Sequence, residues 1–391
     1  MSHDASSDAP IRVMLLISSL LGGGAERVAA SLANDWVREG KVVRLVTLES
    51  ARSDFYVLDP SVERVALSLA QPSSGLWATF KNNATRIRAV RRQLLEFRPD
   101  VAVGFMTVSS VLLAVSALGL DCRTLGTERS HPPATPLGFI RETARTISYR
   151  ALDGVLALTD QSAKWIREHT LAKTIHVIPN AARWPLHRQD PAVSPDVACR
   201  PGRNVLLAVG RLDPVKGYPE LLEVFSRLSP KHMTWDLVIL GEGDQRGELE
   251  NLVARLMLNG RVFLPGIVGN VADWYQRATI YVMTSKYEGF PNTLVEAMSC
   301  GLPSVSFDCD VGPRNIIRPE VDGELVPNGN LNALEHTLDR LMSDEPSRAT
   351  YAACATDVRN RFGQAQILKS WHDLLATLAE QRRSKIGAHA K

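Results

Sequence analysis

Two bases and two acids in the second half of the chain have the types and spacing to hold a sugar carried on a diphosphate. Arg211 and Lys216 lie in LLAVGRLDPVKGYPELL, just past an apolar run that reads as a strand. Arg presents a planar fork of donors and Lys a compact point charge, a pairing that suits neighbouring phosphates. Taken alone they would be two surface bases in a loop. Glu288 and Glu296 flank a Gly-Phe-Pro-Asn-Thr loop in YEGFPNTLVEAMSCGLP, which follows a second strand-like run, TIYVMTS. The loop is too rich in turn formers to be built for packing. Pro291 and Asn292 open a helix, with Asn292 expected as its N-cap. The amides of that first turn, Thr293 and Leu294 among them, are expected to form an anion site. Glu296 lies about one turn inside the helix and would repel a phosphate, so it is directed at hydroxyls such as those of a ribose. Glu288, before the turn, is placed to accept hydrogen bonds from a second polyol. Together these groups suit a nucleotide-diphosphate sugar.

The elements that must position them alternate along the chain. IRVMLLISSL reads as a strand buried on both faces, then a glycine loop opens a helix that ends at Gly40, and KVVRLVTL follows as the next strand. DVAVGFM, CRTLGTE, GVLALT and TIHVIP continue the pattern. Residues 181–203 hold four prolines and no clean periodicity, and read as an interdomain linker. The alternation then restarts at NVLLAVG. This predicts an α/β chain of two doubly wound, Rossmann-like domains, residues 1–190 for the acceptor and 191–365 for the nucleotide sugar. Residues 366–391 form a last helix whose Ile367, Trp371, Leu375 and Leu378 recur at helical spacing, and it is expected to pack back toward the first domain. Ligands of such sheets bind beyond the carboxyl ends of the strands, so the expected site is a cleft between the domains.

Composition narrows the class. The chain has 391 residues, and 45 bases against 42 acids leave a net charge of +3, too balanced for a nucleic-acid binder. Cys122, Cys199, Cys300, Cys309 and Cys354 show no metal-binding spacing and read as reduced thiols. No basic start followed by an apolar run marks a secretory signal, so a cytoplasmic protein is expected. Residues 101–120 carry no charge, but their Gly and Ser residues divide them into a buried strand and a short buried helix rather than a membrane span. Lys81, Arg86, Arg88, Arg91, Arg92 and Arg98 stand against the single acid Glu96, just after Leu76, Trp77 and Phe80. This segment is either a solvated helix face or a peripheral contact with an anionic membrane at the inner face of the cell membrane.

The order of these motifs resembles the family 4 retaining glycosyltransferases of GT-B fold. EGFPNTLVEAMSCGLP is similar to their E-x7-E signature, VGRLDPVKG to their phosphate-binding segment, GGGAER to their first glycine loop, and VIPN to the segment before the linker. The resemblance implies that Arg211 and Lys216 hold the diphosphate, Glu296 the ribose and Glu288 the transferred sugar. It places Gly289, Phe290, Asn292, Thr293 and Leu294 around the donor. It also implies transfer of a hexosyl or N-acetylhexosaminyl group with retention, by a same-face route in which the leaving phosphate helps deprotonate the acceptor. No Asp-x-Asp stands in a convincing site, so no metal or other cofactor is expected, and Arg211, Lys216 and the helix amides carry the leaving-group charge.

In the first half, Gly22, Gly23 and Gly24 precede a helix, and their bare backbone would let the donor approach. The rival dinucleotide fingerprint fails because Arg27 stands in place of its third glycine. Glu26 either meets the acceptor or favours the helix start. GTERSHPPAT follows a strand, near where many family members have a histidine that touches the donor sugar. His131 plays that role, or Glu128 and Arg129 replace it with Arg129 toward the acceptor, or the segment is a structural loop. The expected activity is transfer from a UDP-sugar to a glycan or polyprenyl-diphosphate-linked acceptor. The alternatives are a sugar-nucleotide epimerase of the same fold and a non-catalytic sugar-nucleotide-binding protein.

Overall fold

A computed structural model describes residues 9–70 and 76–389, with side chains described for 9–70 and 80–385. The side chains of Leu76 and Trp77 therefore lie outside the described residues. The chain divides into two compact units, Met1–Asn180 with Ala365–Lys391, and Ala181–Gln364.

The first unit is built on strands β1 (Arg12–Ile17), β2 (Val42–Thr47), β3 (Glu63–Ala66), β4 (Val101–Phe105), β5 (Arg123–Thr127), β6 (Gly154–Ala157) and β7 (Ile175–Val177). They pair in parallel in the order β3-β2-β1-β4-β5-β6-β7. Parallel strands need crossovers and are covered on both faces, which is why Val13–Ile17 and Val101–Phe105 are apolar without alternation and wholly buried. The uncharged stretch 101–120 resolves into β4 and helix Met106–Ser116. Among the described residues no helix is long and apolar enough to cross a membrane.

The last helix, Gln364–His389, belongs almost wholly to the first unit. Trp371 meets Trp36 edge-on at 5.4 Å, and both are buried. Further along, Arg382 Nη1 donates to Asp100 Oδ1 at 2.6 Å and Arg123 Nη2 to the Gln381 carbonyl at 3.1 Å.

The second unit carries β8 (Asn204–Val209), β9 (Trp235–Leu240), β10 (Val262–Gly266), β11 (Ile280–Met283), β12 (Ser304–Asp308) and β13 (Gly323–Pro327), in the parallel order β10-β9-β8-β11-β12-β13. In both sheets the winding reverses beside the first strand, so the loops after β1 and β4, and after β8 and β11, leave the sheet side by side.

The division falls at Asn180–Ala181 rather than at 190, and the proline-rich segment 181–203 is not a free linker. The Ala182 amide donates to the Phe362 carbonyl at 2.6 Å, that of Gln189 to Gly269 at 3.1 Å, and the Trp274 indole to the Val193 carbonyl at 3.1 Å. Arg200 and Arg203 both bond the fully buried Asp236 carboxylate of β9. Prolines deny this stretch a regular element, and its carbonyls and arginines anchor it to the second unit instead.

Beneath helix Phe139–Ser148 of the first unit lies a buried polar network. The Glu128 carboxylate accepts from the Tyr149 hydroxyl and, at 2.8 Å, from Thr107 Oγ1. Arg145 Nη1 is 3.8 Å from Glu128, and Arg145 also pairs with Glu142. Burial pushes the Glu128 carboxyl above its ordinary range, against the pull of Tyr149, Arg145 and Thr107. The folded chain thus holds this proton to a higher pH than the unfolded chain. Its contribution to stability is complete below the unfolded carboxyl's titration and is lost as pH rises through the raised value.

Truncating Trp371 to Ala should destabilise the first unit by about 3–5 kcal/mol, read as an earlier unfolding transition in guanidinium chloride. Glu128→Gln should flatten the fall of stability with rising pH above the usual carboxylate range. Denaturation midpoints over a pH series check this, and an unchanged slope would show that Glu128 is not its source.

Candidate active site

The candidate residues Arg211, Lys216 and Glu288 of the second unit sit on two loops that the fold locks together. The loop after β8 runs through 210–217, and the loop after β11 through 284–291. Thr284 Oγ1 donates to the Lys216 carbonyl at 2.9 Å, and the Lys286 amide to the Val215 carbonyl at 2.8 Å. Gly217 has φ +66°, and a Cβ there would lie 2.3 Å from the Thr284 carbonyl oxygen. Only glycine fits both that backbone and that approach. The first loop is also tied to the one after β9, where the Leu212 amide donates to the Glu242 carbonyl at 2.9 Å.

Within this frame Lys216 Nζ donates to Glu288 Oε1 at 2.7 Å. The lysine stem crosses the bare backbone of Gly210, where a Cβ would lie 3.2 Å from Lys216 Cε. Asp213 caps the short turn before it by accepting from the Val215 amide at 2.9 Å. Arg211, on the same loop, is exposed and makes no hydrogen bond or ion pair among the described residues. The loop thus carries a base bonded to a carboxylate and, five residues earlier, an exposed base without a partner among the described residues. An ammonium has three donors, so Lys216 can keep Glu288 and still take a phosphate oxygen.

Glu296 is buried in helix Asn292–Ser299 and accepts from the Tyr275 hydroxyl at 3.3 Å. Tyr275 also donates to the Thr293 carbonyl at 3.2 Å, and Tyr281 to Thr293 Oγ1 at 2.8 Å. These tyrosines fix the turn that carries Thr293 and Glu296. Burial, then the coulombic influence of Tyr281 and Glu288, holds the Tyr218 hydroxyl well above its usual range. Burial and then Glu288 push the Cys309 thiol up to about 12. Both groups stay neutral under the acids.

Two local expectations are corrected. Pro291, not Asn292, is the N-cap, and Asn292 is the first helical residue. Proline lacks a capping side chain, and the turn is held instead by packing: Gly312 beyond β12, at φ +104°, has room only for hydrogen, since a Cβ would lie 2.7 Å from Pro291 Cδ. The Leu294 amide is not an anion donor either, because it bonds the Pro291 carbonyl at 3.2 Å. Thr293 remains as a first-turn residue whose amide lies ahead of any intrahelical acceptor. Gly289 continues the loop, while Phe290 turns inward and meets Phe362 edge-on at 5.4 Å. In the Asp308-Cys309-Asp310 run at the end of β12, Asp308 accepts through both oxygens from Arg314 and Cys309 is buried.

The remaining candidates belong to the first unit. Gly23 precedes helix Gly24–Arg38 as its N-cap, and a Cβ on it would lie 2.2 Å from Glu26 Oε2. The room that Gly23 leaves is thus filled by Glu26, which folds back over the helix start. Glu128 faces into the buried network rather than outward. Arg129 stacks on the Phe105 ring at 4.5 Å and bonds Asn180 of the VIPN segment, and burial lowers its guanidinium toward about 9, still protonated at neutral pH. His131 is buried, with Nδ1 3.2 Å from the Ser162 hydroxyl at the start of helix Asp160–His169. Sequence reasoning passed over Gly210, Gly217 and Gly312, although K-G-Y-P carries the signal of a left-handed glycine ahead of a helix.

Comparison with known proteins bears on the family and the fold. Residues 192–358 match the family of glycosyl transferases group 1, and residues 23–181 match the glycosyl transferase 4-like domain. The amylovoran biosynthesis glycosyltransferase AmsD of Erwinia amylovora is 26% identical over 93% of this chain and 99% of its own length. A Campylobacter jejuni alpha-1,4-N-acetyl-D-galactosaminyltransferase, named for an undecaprenol-diphosphate-linked acceptor, is 26% identical over 94% of this chain and 98% of its own. Among solved structures, sucrose-phosphate synthase of Thermosynechococcus elongatus superposes with a TM-score of 0.81 at 20% identity, covering 94% of this chain and 99% of that one. Anabaena HepE in complex with UDP gives 0.75 at 18%, covering 94% and 100%. With two matching domains in family order and relatives aligned over nearly their whole length, the chain belongs to the family 4 glycosyltransferases of GT-B fold.

Proposed function

We propose that the chain transfers a hexosyl or N-acetylhexosaminyl group from a UDP-sugar to a glycan or polyprenyl-diphosphate-linked acceptor, with retention and without a metal ion. The observation that carries this reading is the Lys216–Glu288 pair at the sheet's switch point, with Arg211 unpaired on the same loop. Arg211 and Lys216 bind the diphosphate, and the Thr293 amide adds a donor at the helix start. Glu288 takes hydroxyls of the transferred sugar, and Glu296, braced by Tyr275, takes those of the ribose. The acceptor hydroxyl oxygen attacks the anomeric carbon on the face the diphosphate leaves. The bond from that carbon to the phosphate oxygen breaks, and the acceptor's proton passes to the departing phosphate.

The negative charge that grows on the diphosphate meets fixed cations, which supports a route without a metal. The bonding of both Asp308 oxygens to Arg314 is in line with it. The names of the relatives support the acceptor class, since one serves amylovoran biosynthesis and another is named for an undecaprenol-linked oligosaccharide. The UDP complex of a structural neighbour supports the donor. A lipid-linked acceptor implies work at the inner face of the cell membrane by a cytoplasmic protein in peripheral contact with it.

Each charge-assisted contact to phosphate contributes about 1.5–3 kcal/mol. Losing one or two of them in the transition state removes about one to four decades of rate. Lys216→Ala should therefore lower turnover at least about ten-fold with a much smaller effect on the melting temperature. The assay uses a panel of UDP- and GDP-sugars with and without EDTA. Wild-type turnover in the variant, or activity abolished by EDTA and restored by Mg2+, would contradict this reading.

A further inference from the structure

The first unit leaves bare an apolar face that the transfer reaction does not use. Helix Phe139–Ser148 follows the loop that carries Arg129 and His131. Its Phe139, Ile140 and Ile147 are 86%, 78% and 59% exposed. At helical periodicity these three fall on one side, while Arg145 and Ser148 are buried on the other. Helix Met106–Ser116 packs against this helix and adds exposed Val108 and Val115, with Leu118 just past its end. Helix Leu76–Phe97 packs against Met106–Ser116 in turn. Single exposed apolar residues are ordinary, but side chains this large gathered on adjoining helices mark a contact surface.

The charges around the face say what it contacts. Arg141 lies on the same helix and Arg150 just past its end, and Lys81 and Arg88 stand on helix Leu76–Phe97; all four are exposed and none forms an ion pair among the described residues. Other bases of that helix are committed to the fold. Arg86 bonds the Leu69 carbonyl, Arg91 the carbonyls of Ser116 and Leu118, and Arg92 lies 3.4 Å from Glu96. The charge-rich stretch therefore supplies only part of the contact, and the apolar part comes from a helix far along the sequence.

We propose that this face docks on an anionic membrane, with Phe139, Ile140 and Ile147 entering the headgroup–acyl boundary and Arg141, Arg150, Lys81 and Arg88 meeting lipid phosphates. The inference rests on the lipid-linked acceptor reading and names the surface that reading needs. Large exposed apolar side chains with unpaired bases on the same and neighbouring helices match the interface of an anionic bilayer. The face is also wired to the acceptor side. Arg145 joins the inner side of the docking helix to Glu128, next to Arg129, so docking would fix the β5 loop relative to the lipid surface.

The test is co-sedimentation of the full chain with phosphatidylglycerol–phosphatidylcholine vesicles, beside UDP binding by calorimetry and size-exclusion chromatography. Wild type should bind these vesicles, more weakly in high salt and on phosphatidylcholine alone. Phe139→Ser, Ile140→Ser and Ile147→Ser together should weaken vesicle binding at least about ten-fold and leave UDP binding unchanged. If the triple variant does not fold, Arg141→Glu with Arg150→Glu takes its place and should weaken binding to the anionic vesicles. The proposal is overturned if the variant sediments as wild type does, or if wild type binds UDP but no vesicles. It is equally overturned if the substitutions change the oligomeric state instead, which would make the face a protein interface. Failure of the donor reading shows separately, as wild type that does not bind UDP.

Discussion

The bond from Lys216 to Glu288 is the interaction on which the active end of the second unit depends. It joins the loops after β8 and β11 across the point where the sheet reverses its winding. Backbone fixes the two ends before the side chains meet, through Thr284 on the Lys216 carbonyl and Lys286 on the Val215 carbonyl. Gly217, Gly210 and Gly312 are the conditions for this, since each leaves room for an atom that a Cβ would displace. The cation is therefore oriented without a ligand, and on the proposed reading a diphosphate gaining charge would need little reorganisation of it. Pairing also lowers the cost of keeping a partly buried ammonium and carboxylate side by side without a ligand.

The first unit relies on a different device. Its polar network is buried under helix Phe139–Ser148, where Glu128 accepts from Tyr149 and Thr107 and Arg145 pairs with Glu142 beside it. Such a network is costly when broken, so it fixes the helix and the β5 loop as one piece. The chain's last helix closes the same unit through Trp371 on Trp36 and Arg382 on Asp100. Residues far apart in sequence thus brace the sheet whose loops carry Arg129 and His131.

Much of this was legible in the sequence. Apolar runs such as IRVMLLI and the strand–helix alternation gave both parallel sheets, because strands covered on two faces cannot alternate. Arg211, Lys216, Glu288 and Glu296 were legible as a group because each follows a strand-like run. What escaped notice depended on tertiary contact. Segment 181–203 looked like a linker since prolines erase periodicity, yet its arginines reach Asp236. Asn292 looked like a cap, but Pro291 and Gly312 settle that turn by packing. Glu128 follows a strand as Glu288 does, and it is the bonds from Tyr149 and Thr107, invisible in sequence, that mark it as structural. The bare face of Phe139, Ile140 and Ile147 was hidden because apolar residues at helical spacing ordinarily point inward.

The most direct measurement of the central claim is a crystal structure of the chain soaked with a non-hydrolysable UDP-sugar analogue. The account predicts diphosphate oxygens within about 3 Å of Lys216 Nζ and of the Arg211 guanidinium, with Glu288 on the sugar hydroxyls. A diphosphate bound elsewhere, with the Lys216–Glu288 bond intact and Arg211 still unpaired, would contradict it.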